Sequence, residues 1–168
     1  MKRIVIINGK PKSGKDTFVE LCTFYTRVYN FSSIDPIKEI ASKYFGYSDK
    51  NKSLKDRKFL SDLKALTTEY CNFSHLATCE AINRFIYQMD RDLMFIHIRE
   101  AKEIIKLKKE FPGIITLFIS RPEVDNKVYT NDSDNNVEEY NYDYTIINAY
   151  TMDEYKIKAK QFIDSIEK

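Results

Sequence analysis

No stretch of this sequence approaches the roughly 18 apolar residues that a membrane-spanning helix needs. The first apolar run, Ile4-Val5-Ile6-Ile7, gives way at once to Asn8-Gly9 and is too short for a secretory leader. An excess of one charge is missing too. The 27 basic and 25 acidic residues leave a net charge of +2, without the basic stripe that a nucleic-acid polymer calls for. Cysteine is scarce: Cys22, Cys71 and Cys79 are odd in number and lack CxxC spacing. That argues against a disulfide framework or a zinc site and fits a reducing compartment. His75 and His97 have no partners at metal-ligand spacing. There is no internal repeat, and no NKxD segment of the kind that selects guanine in switch GTPases. The expectation is a cytoplasmic protein with neither membrane nor nucleic-acid partner, its 168 residues forming one compact domain.

What is present alternates strand and helix signals. Ile4–Ile7 is the continuous β-branched run of a strand buried on both faces. Thr17–Tyr29 carries Phe18, Leu21, Cys22, Tyr25 and Val28 near helical spacing. Asn30–Ile34 is a weak second strand. Asp35-Pro36 is a helix start, Asp35 as cap and Pro36 at the first helical position, with an end near Gly46. Ser53-Leu54-Lys55-Asp56 resembles a capping box that opens a helix running to about Tyr70, and another follows from Ser74 to Met89. Leu93–Ile98 and Ile114–Ile119 are further strands, separated by an amphipathic helix from Glu100 to Phe111. Arg121–Asn141 is rich in Asp and Asn and reads as a mobile surface loop. Tyr144–Ile147 is a fifth strand, and Thr151-Met152-Asp153-Glu154 caps a C-terminal helix. This order predicts an α/β fold with a parallel sheet covered on both faces. Ligands of such sheets bind at the carboxyl ends of the strands.

The residues Gly9-Lys10-Pro11-Lys12-Ser13-Gly14-Lys15 match the first seven positions of GxxxxGK[ST]. The loop lies between a buried strand and a helix, as phosphate binding requires. Successive backbone N–H groups line one concavity, and the helix adds the positive end of its dipole. Lys15 is placed to reach the β- and γ-phosphates of a nucleotide. Two of only four glycines in the chain stand at the obligatory positions, Gly9 and Gly14. The next position departs from the pattern: Asp16 stands where Ser or Thr supplies a magnesium ligand, and Thr17 follows. Either could hold Mg²⁺ through oxygen.

At GKPKSGKDTF the loop resembles that of the phage-type deoxynucleoside monophosphate kinases and the related phosphomevalonate kinases. Further points of likeness are Asp35-Pro36-Ile37-Lys38-Glu39, Arg99 after the third strand and Arg121 after the fourth. The resemblance implies a three-layer P-loop kinase fold on a five-stranded parallel sheet, with ATP and Mg²⁺ as cofactors. It implies a core from 1–35, 91–120 and 142–168, a helical acceptor-binding insert over about 36–90, and a lid over about 121–141. The family often carries Asp-x-Arg at the end of the third strand; here His97-Ile98-Arg99 stands instead, without the Asp that implies a second magnesium contact.

Phosphoryl transfer depends on positioning and charge neutralisation, so converging basic side chains matter most. Lys15, Arg99 and Arg121 are the candidate catalytic residues. Gly9 to Thr17 form the nucleotide site, with Asp16 or Thr17 at the metal. Asp35, Arg57 and Arg99 are the acceptor candidates; a surface role for Arg57 and a capping role for Asp35 weigh about equally. The expected partner is a small phosphorylated acceptor, with a homodimer left open. The expected activity is Mg·ATP-dependent transfer to a nucleoside monophosphate, a deoxynucleotide among them. The alternatives are a kinase of phosphomevalonate or dephospho-coenzyme A, or an inactive nucleotide-binding regulator.

Overall fold

In the computed structural model of the chain, residues 2–51, 53–125, 137, 140–149 and 151–167 are described. Five strands form one all-parallel sheet: β1 (Arg3–Asn8), β2 (Val28–Ser32), β3 (Leu93–His97), β4 (Ile115–Ser120) and β5 (Tyr144–Ile147), in the order β2-β3-β1-β4-β5. The helices are α1 (Lys15–Cys22), α2 (Asp35–Phe45), α3 (Leu54–Cys71), α4 (Phe73–Gln88), α5 (Ala101–Glu110), the single turn α6 (Pro122–Asp125) and α7 (Met152–Ile166). No helix among the described residues is long and apolar enough to cross a membrane.

The period-2 alternation of the central strands sorts their side chains into two cores. Val5, Ile7, Leu93 and Phe95 pack with Phe18 of α1 and Tyr155, Phe162 and Ile166 of α7. Ile6, Met94 and Ile96 pack on the other face with Ile82 and Phe85 of α4 and Ile104 and Leu107 of α5. The result is the helix–sheet–helix sandwich that the alternating pattern implied. Helices α2 and α3 stand partly outside it around a smaller cluster, Ile37, Ala41, Tyr47 and Leu60.

Two capping boxes form as read, Ser53 with Asp56 at α3 and Thr151 with Glu154 at α7. Gly46 ends α2 at φ 69°, a left-handed position suited to glycine. Other boundaries need correction. The helix expected over Thr17–Tyr29 begins at Lys15 and stops at Cys22, and Val28 and Tyr29 belong to β2. Five ladder pairs from Val28↔Leu93 to Ser32↔His97 override the helical spacing. Asp35 is not the cap of α2 but its first residue: Ile34 holds the cap position, and the Asp35 carboxylate accepts from the Ser32 amide at 2.8 Å. Most of the Asp/Asn-rich stretch expected as a mobile loop, 126–136 and 138–139, lies outside the described residues.

Candidate active site

Strands β1 and β3 lie side by side, so their carboxyl ends deliver the phosphate-loop residues and His97–Glu100 to one edge of the sheet. Asn8, fully buried at the end of β1, clips these segments together. Its Oδ1 accepts from the Gly9 amide at 2.8 Å, and its Nδ2 donates to the Arg99 carbonyl at 3.2 Å and the Tyr142 hydroxyl at 2.7 Å.

The loop from Gly9 to Gly14 needs its glycines. Gly9 sits at φ 148° and Gly14 at φ 96°. A Cβ on Gly9 would collide with the Ile119 carbonyl oxygen, and one on Gly14 with the Asn148 side-chain amide. Lys12 between them is also left-handed, at φ 66°, the kind of local strain that collects at ligand sites. The loop is pinned from the far side of the sheet. Asn148, just past β5, donates from Nδ2 to the Ser13 carbonyl at 2.8 Å, and the Tyr155 hydroxyl of α7 donates to the Gly14 carbonyl at 3.1 Å. Burial pushes the Tyr155 phenol well above its usual value, so it stays a neutral donor.

Helix α1 starts at Lys15, and its first internal bond runs from the Phe18 amide to the Gly14 carbonyl. The first-turn amides therefore have no partner within the helix and are offered to an anion. The Lys15 ammonium lies over the same loop, donating to the carbonyls of Gly9 and of Lys10, the latter at 2.9 Å. Lys10 is itself buried, and Ser13 is buried with its hydroxyl unbonded.

His97, at the end of β3, marks where the other candidates converge. Its Nε2 is 2.9 Å from Asn30 Oδ1, and its Nδ1 is 3.9 Å from the Asp16 carboxylate. Burial holds its pKa below the ordinary histidine value; Lys15 and Arg99 act in the same direction, while Asp16 and Asp35 oppose it. Lys15, Asp16, Asp35 and Arg99 thus all act on one imidazole. The Asp absent from position 97 is replaced by a mostly buried neutral ring.

Next to this point the sequence reading missed a residue. Lys64 of α3 donates to Glu100 Oε1 at 2.7 Å, joining the helical segment to the end of β3. Burial alone would raise the Glu100 pKa. Lys64, its hydrogen bond and the backbone amides of Arg99 and Glu100 outweigh this and hold the carboxyl below its usual range. Glu100 Oε2 is buried without a hydrogen bond. Arg57 precedes Lys64 by seven residues on α3, two turns and about 10 Å along the same stripe. Arg121 follows β4 and is paired with Glu123 at 2.6 Å, on the Tyr155 side of the loop. Asn8, Asn148 and Tyr155 carried no motif; only the fold assembles them.

At the loop mouth the exposed Asp16 carboxylate and the Thr17 hydroxyl that follows it are hard oxygen donors of the kind that fits magnesium.

No protein-family model matches the chain, and the search of curated proteins finds no match. Solved structures do resemble it in fold. A tunicamycin resistance protein from Deinococcus radiodurans superposes with a TM-score of 0.57 at 10% identity, covering 97% of this chain and 96% of that one. A sugar kinase from a Janibacter species gives 0.54 at 14% identity, over 98% and 95% of the two chains. The dephospho-CoA kinase of Campylobacter jejuni gives 0.52 at 19% identity, over 98% and 97%. With the strand order and the loop on β1, these likenesses show that the chain shares the α/β fold of these proteins, two of them kinases.

Proposed function

We propose that the protein transfers the γ-phosphoryl group of ATP to a small phosphorylated acceptor, with a nucleoside monophosphate, including deoxynucleotides, as the leading acceptor class. The observation that carries this reading is the pinned loop from Gly9 to Lys15. Its two left-handed glycines, the first turn of α1 and the Lys15 ammonium meet at the carboxyl edge of the sheet. The first-turn amides and Lys15 hold the donor phosphates. Asp16 or Thr17 would hold the Mg²⁺ that comes with ATP, which would supply neutralisation of charge on the transferring group. Arg99, next to this edge, binds the acceptor phosphate, and α3 brings Arg57 and Lys64 in from the insert. Arg121 reaches the bridging charge from the β4 side once it leaves Glu123. Asp35 orients the acceptor from the start of α2.

The fold shared with the C. jejuni dephospho-CoA kinase supports a second reading, in which a different phosphorylated metabolite occupies the insert side. An ADP-release assay with Mg·ATP separates the two. The panel holds ribo- and deoxynucleoside monophosphates, phosphomevalonate and dephospho-coenzyme A. Turnover on a nucleoside monophosphate supports the leading reading, and turnover on a coenzyme precursor the second. ATP binding by calorimetry with no turnover on any acceptor would overturn both and leave a nucleotide-binding regulator.

A further inference from the structure

Away from the phosphate loop, the fold gathers residues that the linear sequence keeps apart. His75 and Cys79 lie four residues apart on α4, hence on one face, and Glu110 comes from the last turn of α5. His75 Nε2 is 2.9 Å from Glu110 Oε1 and 3.5 Å from Cys79 Sγ, and Cys79 Sγ is 3.2 Å from Glu110 Oε2. A tetrahedral ion bound to one sulfur, one imidazole nitrogen and one carboxylate oxygen requires edges of about 3.3–3.5 Å. The sulfur–nitrogen edge already matches, and a small swing of the half-exposed Glu110 side chain opens the other two.

Three further observations point to a ligand. The His75 side chain is 3% exposed, and its Nδ1 is buried with no hydrogen bond, 3.5 Å from the Glu103 carboxylate. An ion on Nε2 fixes the proton on Nδ1, aimed at Glu103, the carboxylate–histidine arrangement that orients metal-bound imidazoles. The partly exposed Cys79 and Glu110 leave a way in. A histidine–glutamate pair, with the Cys79 thiol donating to the same carboxylate, is the metal-free form of the cluster. The absence of CxxC spacing hid the cluster from the sequence, because the ligands join two helices.

We propose that His75 Nε2, Cys79 Sγ and the Glu110 carboxylate bind a zinc-class divalent cation, with Glu103 orienting His75 and water completing the tetrahedron. As the metal–sulfur bond forms, Cys79 releases one proton to solvent and His75 binds as the neutral ring. The ion staples α4 to the end of α5, the helix that begins just after Arg99 and Glu100. This site is separate from the magnesium that accompanies ATP and does not depend on the proposed activity.

The test is titration of the metal-free full chain with Co²⁺. One ion should bind per chain, with a near-ultraviolet thiolate-to-cobalt charge-transfer band and the visible bands of four-coordinate cobalt, both removed by Zn²⁺. Cys79→Ser should lose the charge-transfer band, Cys71→Ser should keep it, and Glu103→Gln should weaken binding by about 10- to 100-fold. Absence of the band in the wild type, or its survival in Cys79→Ser, overturns the proposal. A measurement on the unmutated chain guards against a variant that does not fold. Alkylation of each cysteine is followed by mass spectrometry, with the exposed Cys71 as internal reference. Saturating Zn²⁺ should slow modification of Cys79 alone; an unchanged Cys79 rate overturns the site.

Discussion

The phosphate loop and the α2–α3 segment sit at the same edge of the sheet but are built differently. The loop rests on a cluster of fifteen buried residues and is tied by Asn8, Asn148 and Tyr155. The segment rests on four, Ile37, Ala41, Tyr47 and Leu60. At about 1.5–3 kcal/mol per large buried side chain, those four contribute about 5–10 kcal/mol before any conformational entropy is charged against them, with Ile34, Phe59, Leu63 and Phe73 only partly buried around them. Exposed side chains such as Leu54, Leu66 and Tyr70 flank it. One side of the site is therefore held rigid by its own backbone, and the other opens at low cost. That division suits a phosphotransferase, whose donor must be held in place while its acceptor enters and leaves.

The sharpest way to break the comparison is to remove the charge from the rigid side. Lys15→Ala should lower phosphotransfer by about a thousandfold or more, in line with losses on removing one transition-state donor. Its Tm should move little, because the ammonium donates to carbonyls of its own loop. Near-normal turnover by the folded variant would remove Lys15 from the chemistry. Gly14→Ala should come next and damage folding as well. It forces a side chain into φ 96° against Asn148 and costs about 1–3 kcal/mol of strain plus about 1 kcal/mol for the Asn148–Ser13 bond. We expect a Tm drop of about 5–10 °C in a thermal melt and loss of ATP binding by calorimetry. An unchanged melt would show that the loop is less rigid than its ties imply.

The same contrast explains what the sequence made legible. Gly9, Gly14 and Lys15 announce themselves because backbone geometry and one cation do the binding, and their spacing along the chain is the geometry. Sheet and layers were readable too, since β1, β3 and β4 are runs of apolar residues that only a doubly covered sheet can bury. The start of β2 was not, because Val28 and Tyr29 fit a helix until β3 pairs with them. Lys64 could not be singled out among the many lysines: its meaning lies in the distance to Glu100, thirty-six residues away. Arg57 and Lys64 share a stripe, but the direction of that stripe is a property of the packing of α3, not of its weak periodicity.

On the movable side, Lys64→Met tests whether that packing matters to the acceptor. It strands Glu100, whose other oxygen is already unbonded. The cost should be about 1–2 kcal/mol, the value of a charged hydrogen bond discounted because the Glu100 side chain is 34% exposed. Acceptor KM should rise by about tenfold, with KM for ATP unchanged. A matching rise for ATP would erase the distinction between the two sides.

The finest test returns to the loop. Tyr155→Phe keeps the ring that packs on Phe18 and deletes only the hydroxyl that donates to the Gly14 carbonyl. A neutral hydrogen bond of this kind contributes about 1 kcal/mol, so the melt should fall by about 2–4 °C. The carbonyl it leaves belongs to the residue just before Lys15, so looser positioning of the phosphates should appear as a KM for ATP raised by about fivefold. Turnover at saturating ATP should hold, because the Lys15 ammonium is untouched. If kcat fell as far as KM rose, the tie would be setting the transition-state geometry of the loop and not only its ground state. The rigidity of the donor side would then be part of the chemistry.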